Sequence, residues 1–137
     1  MRVESRARAR ALQALYAWDV RADASKLESV ATQVWDDLSV SPDERRLAGA
    51  LVRTLSASGS EIDDELGEIT TNWRLERLGA IERCVLRLGA AELLNGGTPA
   101  RVVIQEGVRL AERFGSAQSA RFVNGVLDAL ARRLGRL

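Results

Sequence analysis

The sequence contains no histidine, one cysteine and one lysine, and these shortages exclude several kinds of active site. Without histidine, neither a Ser-His-Asp nor a Cys-His catalytic arrangement can form, and one cysteine cannot build a thiolate zinc site or an internal disulfide. Lys26 precedes a leucine, so the chain has no G-x-x-x-x-G-K-[ST] phosphate loop. The acidic runs Asp36-Asp37 and Asp63-Asp64-Glu65 are typical of solvated helix faces rather than magnesium sites. We therefore predict that the protein is not an enzyme and has no cofactor and no metal.

Long apolar runs are also missing. No stretch of the 137 residues approaches the roughly 18 apolar residues that a membrane span needs, and the arginine-rich start is not followed by the apolar segment of a secretory signal. The hydrophobic content of 46% is sufficient for a core, and the length suits one domain over residues 1–137. The single cysteine fits a reducing cytoplasm. We expect one cytoplasmic domain that does not enter a membrane.

The formal net charge of +1 conceals an uneven distribution. Residues 1–10 carry four arginines against one glutamate, residues 11–72 carry five basic and twelve acidic groups, and residues 73–137 carry eleven basic and six acidic groups. Basic ends around an acidic middle indicate one surface for a polyanion and another for a basic partner.

Helical periodicity runs through the chain and predicts an all-α domain of six or seven helices, arranged as two small bundles that share a central helix. The second helix is predicted to start at the capping pattern Ser25-x-x-Glu28 and to bury Leu38, and the third to start at Ser41. Because the apolar phase continues across residues 56–60, we favour an unbroken third helix to about Thr70, with a break at Gly59 as the alternative.

The second half of the chain has clear helix boundaries. The central helix is predicted from about Leu75 to Leu94, and the next from Pro99 to Phe114. A polar loop over residues 115–119 then leads into a last helix that begins near Arg121. Gly107 falls on an apolar helix face and predicts a close contact between helices.

Two charged residues occupy apolar helix stripes. Arg8 falls between Leu12 and Leu15 on the first helix, and Glu92 falls among Val85 and Leu88 on the central helix. Because a buried charge requires a partner, we predict that Arg8 and Glu92 form an ion pair between these helices.

The opposite face of the first helix carries Arg6, Arg10 and Gln13, with Tyr16 nearby. Such a face is either an ordinary solvated surface or a set of contacts for an RNA backbone and its bases. Phe122 is either a core residue or a platform on which an unpaired base stacks.

Several blocks resemble the NusB family of bacterial transcription antitermination factors. They are Arg6-x-Arg8-x-x-Ala11-Leu12-Gln13-Ala14-Leu15-Tyr16, Asn72-Trp73-x-Leu75-x-Arg77-Leu78, Glu82-Arg83-x-Val85-Leu86-Arg87-Leu88 with Glu92-Leu93, Val103-Ile104-Gln105-Glu106, and Arg121-Phe122-Val123-Asn124-Gly125-Val126-Leu127-Asp128. The last block is the most specific. The resemblance implies an all-helical protein that binds single-stranded boxA-type RNA in the leaders of ribosomal RNA operons.

The resemblance also implies partners and residue roles. The family pairs with NusE, a ribosomal protein of the small subunit, within the transcription elongation complex. By position, the RNA-binding residues would be Arg6, Arg10, Gln13, Gln118, Ser119, Arg121 and Phe122, and the residues facing NusE would be Tyr16, Glu76 and Glu82. A homodimer remains open.

Two alternatives remain. One is a helical adaptor that binds only protein, and the other is a stand-alone relative of the NusB-like domain that precedes some ribosomal RNA cytosine methyltransferases. The length of the chain counts against the second, because a methyltransferase needs a further nucleotide-binding domain.

Overall fold

The computed structural model describes residues 2–70 and 75–137, apart from the side chain of Glu76; Asn72 and Trp73 of the second sequence block lie outside this part. The described residues form seven α-helices and a short 3-10 helix over Leu75–Arg77. The α-helices are α1 (Val3–Arg21), α2 (Leu27–Asp37), α3 (Pro42–Ala57), α4 (Gly59–Ile69), α5 (Ala80–Asn95), α6 (Ala100–Phe114) and α7 (Ala117–Arg133).

Helix α5 is the shared central element. It contacts α1 and α3 on one side, where α2 completes a bundle, and α4, α6 and α7 on the other. Its sequence allows this because every residue from Cys84 to Leu93 except Arg87 is buried. The predicted all-α arrangement of two bundles around one helix is confirmed.

Glycines allow α5, α6 and α7 to approach closely. A Cβ atom added at Gly107 would lie 2.7 Å from Leu127 Cδ1, and one added at Gly89 would lie 2.8 Å from both Leu127 methyl carbons. Leu127 of α7 therefore packs against the backbones of both neighbouring helices. The close contact predicted at Gly107 is confirmed.

The preferred prediction, one unbroken third helix to about Thr70, is wrong. The chain breaks at Ser58 between α3 and α4, one residue before the Gly59 of the alternative, although Leu55, Ile62 and Leu66 are all buried. Both helices turn their apolar stripes to the same core. The apolar phase therefore crosses the break without interruption.

Three helix starts and one buried position also differ from the prediction. Helix α2 begins after Lys26 without a side-chain cap, and Leu38 is 46% exposed. Ser25 offers its carbonyl oxygen to Trp18 Nε1 instead, at 2.9 Å. Helix α5 begins at Ala80 because the 3-10 turn precedes it, and α7 begins at Ala117 with Ser116 as its cap.

Candidate nucleic-acid interface

Arg6, Arg10 and Gln13 form one ridge on α1, because residues spaced by four and three share a helix face. Arg6 is exposed, and Arg10 and Gln13 are half-buried. Arg10 Nη1 donates a hydrogen bond to Gln13 Oε1 at 3.2 Å. The three residues share one face of α1, as the sequence predicted, and the Gln13 amide holds the guanidinium of Arg10.

Glu44, at the start of α3, binds both arginines of this ridge. Its Oε1 lies 3.1 Å from Arg10 Nε, and its Oε2 lies 3.6 Å from Arg6 Nε. It also belongs to the cap of α3, where the Ser41 hydroxyl donates to Oε2 at 3.0 Å and accepts from the Glu44 backbone N–H at 3.4 Å. Burial acts to raise the pKa of Glu44, but these hydrogen bonds and the two arginine charges outweigh it and lower the pKa.

Arg8 points away from the ridge into the core. Its Nε and Nη2 each donate to Glu92 at 2.9 Å, and its Nη1 lies 3.5 Å from Glu106 of α6, which also accepts a hydrogen bond from the Ser5 hydroxyl. Burial acts to lower the pKa of Arg8, but the hydrogen bond and charge of Glu92, together with the charges of Glu106 and Glu4, outweigh it and raise the pKa. The predicted Arg8–Glu92 pair is confirmed, and Glu106 is a third member that the periodicity did not show.

The second candidate region lies at the start of α7, and its residues are helical rather than in a loop. Gln118 and Arg121 are exposed, whereas Ser119 is only 7% exposed. Phe122 is half-buried, packs against the core and lines an open groove of about 370 Å³. Asn124, on the same helix, is exposed.

Glu82 of α5 lines the same groove, together with Arg77, Leu78 and Gly79. Its Oε1 accepts a hydrogen bond from the Ser119 hydroxyl at 2.6 Å, and Ser119 N–H donates to the capping hydroxyl of Ser116 at 3.1 Å. The structure therefore joins a residue assigned to the partner surface with one assigned to the RNA surface.

Tyr16 lies farther along α1 and is 39% exposed. Val20, one turn later, is 53% exposed, so the two side chains form an apolar patch beyond the arginine ridge. The side chain of Glu76, the third predicted partner contact, lies outside the described residues.

The sequence reasoning missed a network of two aspartates and two arginines. Asp19 accepts from Arg83 Nη2 at 2.6 Å and from Arg87 Nη1 at 2.8 Å, and Arg87 Nε reaches Asp63 at 2.9 Å. This network ties α1 and α4 to α5. Asp63, one of the weak magnesium candidates, is therefore engaged by an arginine.

Other kinds of site find no support in the described residues. Across residues 2–70 and 75–137, no three histidine, cysteine or acidic side chains are grouped as metal ligands require. In the same part of the chain, no helix combines the length and apolar character needed to cross a membrane.

Comparisons with known proteins identify the family. The model of the NusB family matches residues 5–132. The transcription antitermination protein NusB of Sorangium cellulosum is 41% identical over 138 residues, covering 100% of this chain and 97% of that protein, and the NusB of Anaeromyxobacter dehalogenans is 42% identical over 130 residues, covering 93% and 89%. A crystal structure of the antitermination factors NusB and NusE in complex with double-stranded RNA contains a chain that superposes with a TM-score of 0.85 at 32% identity, covering 97% of this chain and 98% of that one.

Proposed function

Because the chain belongs to the NusB family, we propose that it is a transcription antitermination factor that binds boxA-type leader RNA of ribosomal RNA operons together with NusE. The observation that carries the proposal is the α1 ridge, where Arg6 and Arg10 stand side by side on a chain similar to one crystallised with NusE and RNA. It acts in the cytoplasm as one domain within the elongation complex. Its role is binding and not catalysis.

The α1 ridge supplies phosphate contacts in this proposal. A guanidinium group presents several donors in a fork that fits phosphate oxygens, and Gln13 adds an amide beside it. Arg10 Nε and Nη1 are engaged by Glu44 and Gln13, which fix the guanidinium plane. The rest of the group can then face a phosphate.

The start of α7 supplies the remaining RNA contacts. Arg121 and Gln118 are exposed there, and the partly exposed ring of Phe122 offers a face for an unpaired base. Ser119 acts differently, because its hydroxyl is bonded to Glu82. We assign Ser119 the role of holding the first turn of α7 in place.

The proposed surface for NusE consists of Tyr16, Glu76 and Glu82. Val20 extends the apolar part of this surface. An exposed aromatic ring and carboxylates are the side chains that suit a basic protein partner. Glu82→Lys should weaken NusE binding by more than about 1 kcal/mol through like-charge repulsion. Ser119→Ala is the matched control, because it removes the same internal hydrogen bond without adding charge. Equal NusE affinities of the two variants in calorimetry would contradict the role of Glu82.

The decisive experiment is a titration of fluorescent RNA at several salt concentrations, with and without NusE. We expect the wild-type protein to bind a single-stranded boxA-type RNA, with an affinity that falls steeply as salt rises. Arg10→Ala should reduce the salt slope by roughly 0.7, the single-strand value for one phosphate contact, whereas Arg132→Ala at the far end of α7 should leave it unchanged. A duplex of the same sequence is titrated in parallel.

Phe122→Ala separates stacking from packing. Loss of a stacked base should cost about 1–3 kcal/mol of binding with little change in salt slope. Because the ring also packs on the core, thermal melts of the same variant measure its structural share. Reduced stability with unchanged RNA affinity would remove Phe122 from the site, and absence of RNA binding by the wild type, even with NusE, would leave a protein-only adaptor.

A further inference from the structure

A groove of about 250 Å³ separates the α1 ridge from the C-terminal end of α6. Arg6, Ala9, Arg10, Gln13 and Arg113 line it. Ala9 is the only small side chain among them. The volume is several times the roughly 30 Å³ of one water molecule, so a hydrated phosphate group fits.

The charges around this groove are unbalanced. Glu44 contacts Arg6 and Arg10, but no carboxylate among the described residues pairs with Arg113. The guanidinium of Arg113 instead lies over the ring of Phe114, with Cζ 4.8 Å from its centroid. Three of the five residues that line the groove are therefore arginines, which favours a bound anion.

Stacking on Phe114 also preorganises the side chain of Arg113 for binding an anion. A guanidinium that lies on an aromatic ring keeps its edge available for hydrogen bonds while its plane is restrained. Less side-chain freedom is then lost when the edge binds an oxyanion.

The position of Arg113 connects the two proposed RNA regions. Helix α6 ends at Phe114, and only Gly115 separates it from Ser116, the cap of α7. A strand that contacts both the α1 ridge and the first turn of α7 would pass this point.

We propose that Arg113 is a further RNA-binding residue, which together with Arg6 and Arg10 holds one backbone phosphate in the groove between α1 and α6. This inference rests on the proposed function, because the phosphate belongs to the leader RNA. A phosphate in this groove is recognised by charge and not by base identity. Loss of the Arg113 side chain should therefore weaken the binding of all single-stranded RNAs to the same extent.

The test compares Arg113→Ala with Arg101→Ala. Both residues are exposed on α6, both changes remove one positive charge, and the twelve-residue separation places Arg101 roughly 18 Å away along the helix. In titrations of a single-stranded boxA-type RNA with NusE present, Arg113→Ala should lower affinity about fivefold to tenfold and reduce the salt slope by roughly 0.7. Arg101→Ala should keep the salt slope of the wild-type protein. Arg113→Lys should retain most of the wild-type salt slope, because the positive charge remains.

The outcomes separate this inference from the function on which it rests. If the wild-type protein binds RNA and Arg113→Ala matches Arg101→Ala in affinity and slope, the role of Arg113 is refuted while the proposed function stands. If the wild-type protein binds no RNA with NusE present, the proposed function fails and this inference fails with it. Circular dichroism melts confirm that each variant is folded, as expected for exposed residues.

Discussion

Replacing Arg8 with methionine should destabilise the protein severely. The change leaves the carboxylates of Glu92 and Glu106 in the core without the guanidinium that now bonds Glu92 through two 2.9 Å contacts. The side chains of Arg8 and Glu92 are only 9% and 8% exposed, so water cannot replace the lost cation. Removing one partner of such a pair costs about 3–5 kcal/mol. Domains of this size have free energies of unfolding of about 5–15 kcal/mol, so this loss is a large fraction of the stability. It should lower the midpoint of thermal unfolding by roughly 10–20 °C.

Urea and thermal unfolding at neutral pH measure this loss of stability. Two further variants test whether the loss comes from the buried, unpaired carboxylates. The double change Arg8→Met with Glu92→Met removes the pair together and should recover at least half of the lost stability, because an apolar pair of similar volume substitutes well for a buried ion pair. Arg132→Met breaks the exposed pair with Asp128 and should cost less than about 1 kcal/mol. If Arg8→Met costs no more than Arg132→Met, the argument from burial is refuted.

Three more predictions concern single groups. Glu44→Gln should keep the α3 cap and an oxygen that accepts from Arg10 but raise RNA affinity severalfold, because RNA phosphates no longer compete with a negative charge for the two ridge arginines; an unchanged or lower affinity in the same titration would contradict this competition. Burial acts to raise the pKa of Asp19, but its two arginine partners outweigh this and lower it, so its stabilising contribution is present at neutral pH and is lost as the pH falls below about 4. The stability difference between wild type and Asp19→Asn in urea should therefore shrink from pH 7 to pH 3, and a constant difference would contradict the network. Burial raises the pKa of Cys84 to about 12, so a thiol reagent at pH 8 should label it only in denaturant, and rapid labelling of the native protein would disprove its burial.

Sequence reasoning succeeded where one element carries the whole signal. Arg8 and Glu92 each interrupted an apolar stripe, and burial of a charge demands a partner, so the pair followed from two local patterns. Ser41 followed by proline and Glu44 likewise defined the start of α3, because capping depends on residues within one turn.

It failed where distant parts of the chain decide the outcome. The apparent cap at Ser25 is not formed: α2 starts after Lys26, and the Ser25 carbonyl accepts a hydrogen bond from Trp18 of α1. Glu44 was readable as a capping residue but not as the carboxylate that binds Arg10, 34 positions earlier. Periodicity identifies the face on which a side chain lies, but it identifies the opposing helix only where that helix carries a matching exception, as Glu92 matches Arg8.

The alternation of arginines at the start of α1 connects stability with RNA binding. At about 100° per residue, Arg6 and Arg10 share one face of the helix while Arg8 lies on the other. Arg8 fastens α1 to α5 through Glu92 and approaches α6, the helix that also carries Arg113, through Glu106. We therefore expect the buried guanidinium of Arg8 to help position Arg6, Arg10 and Arg113 for the proposed phosphate contact. Arg8 variants that still fold should therefore bind RNA less tightly, although Arg8 itself does not contact the RNA.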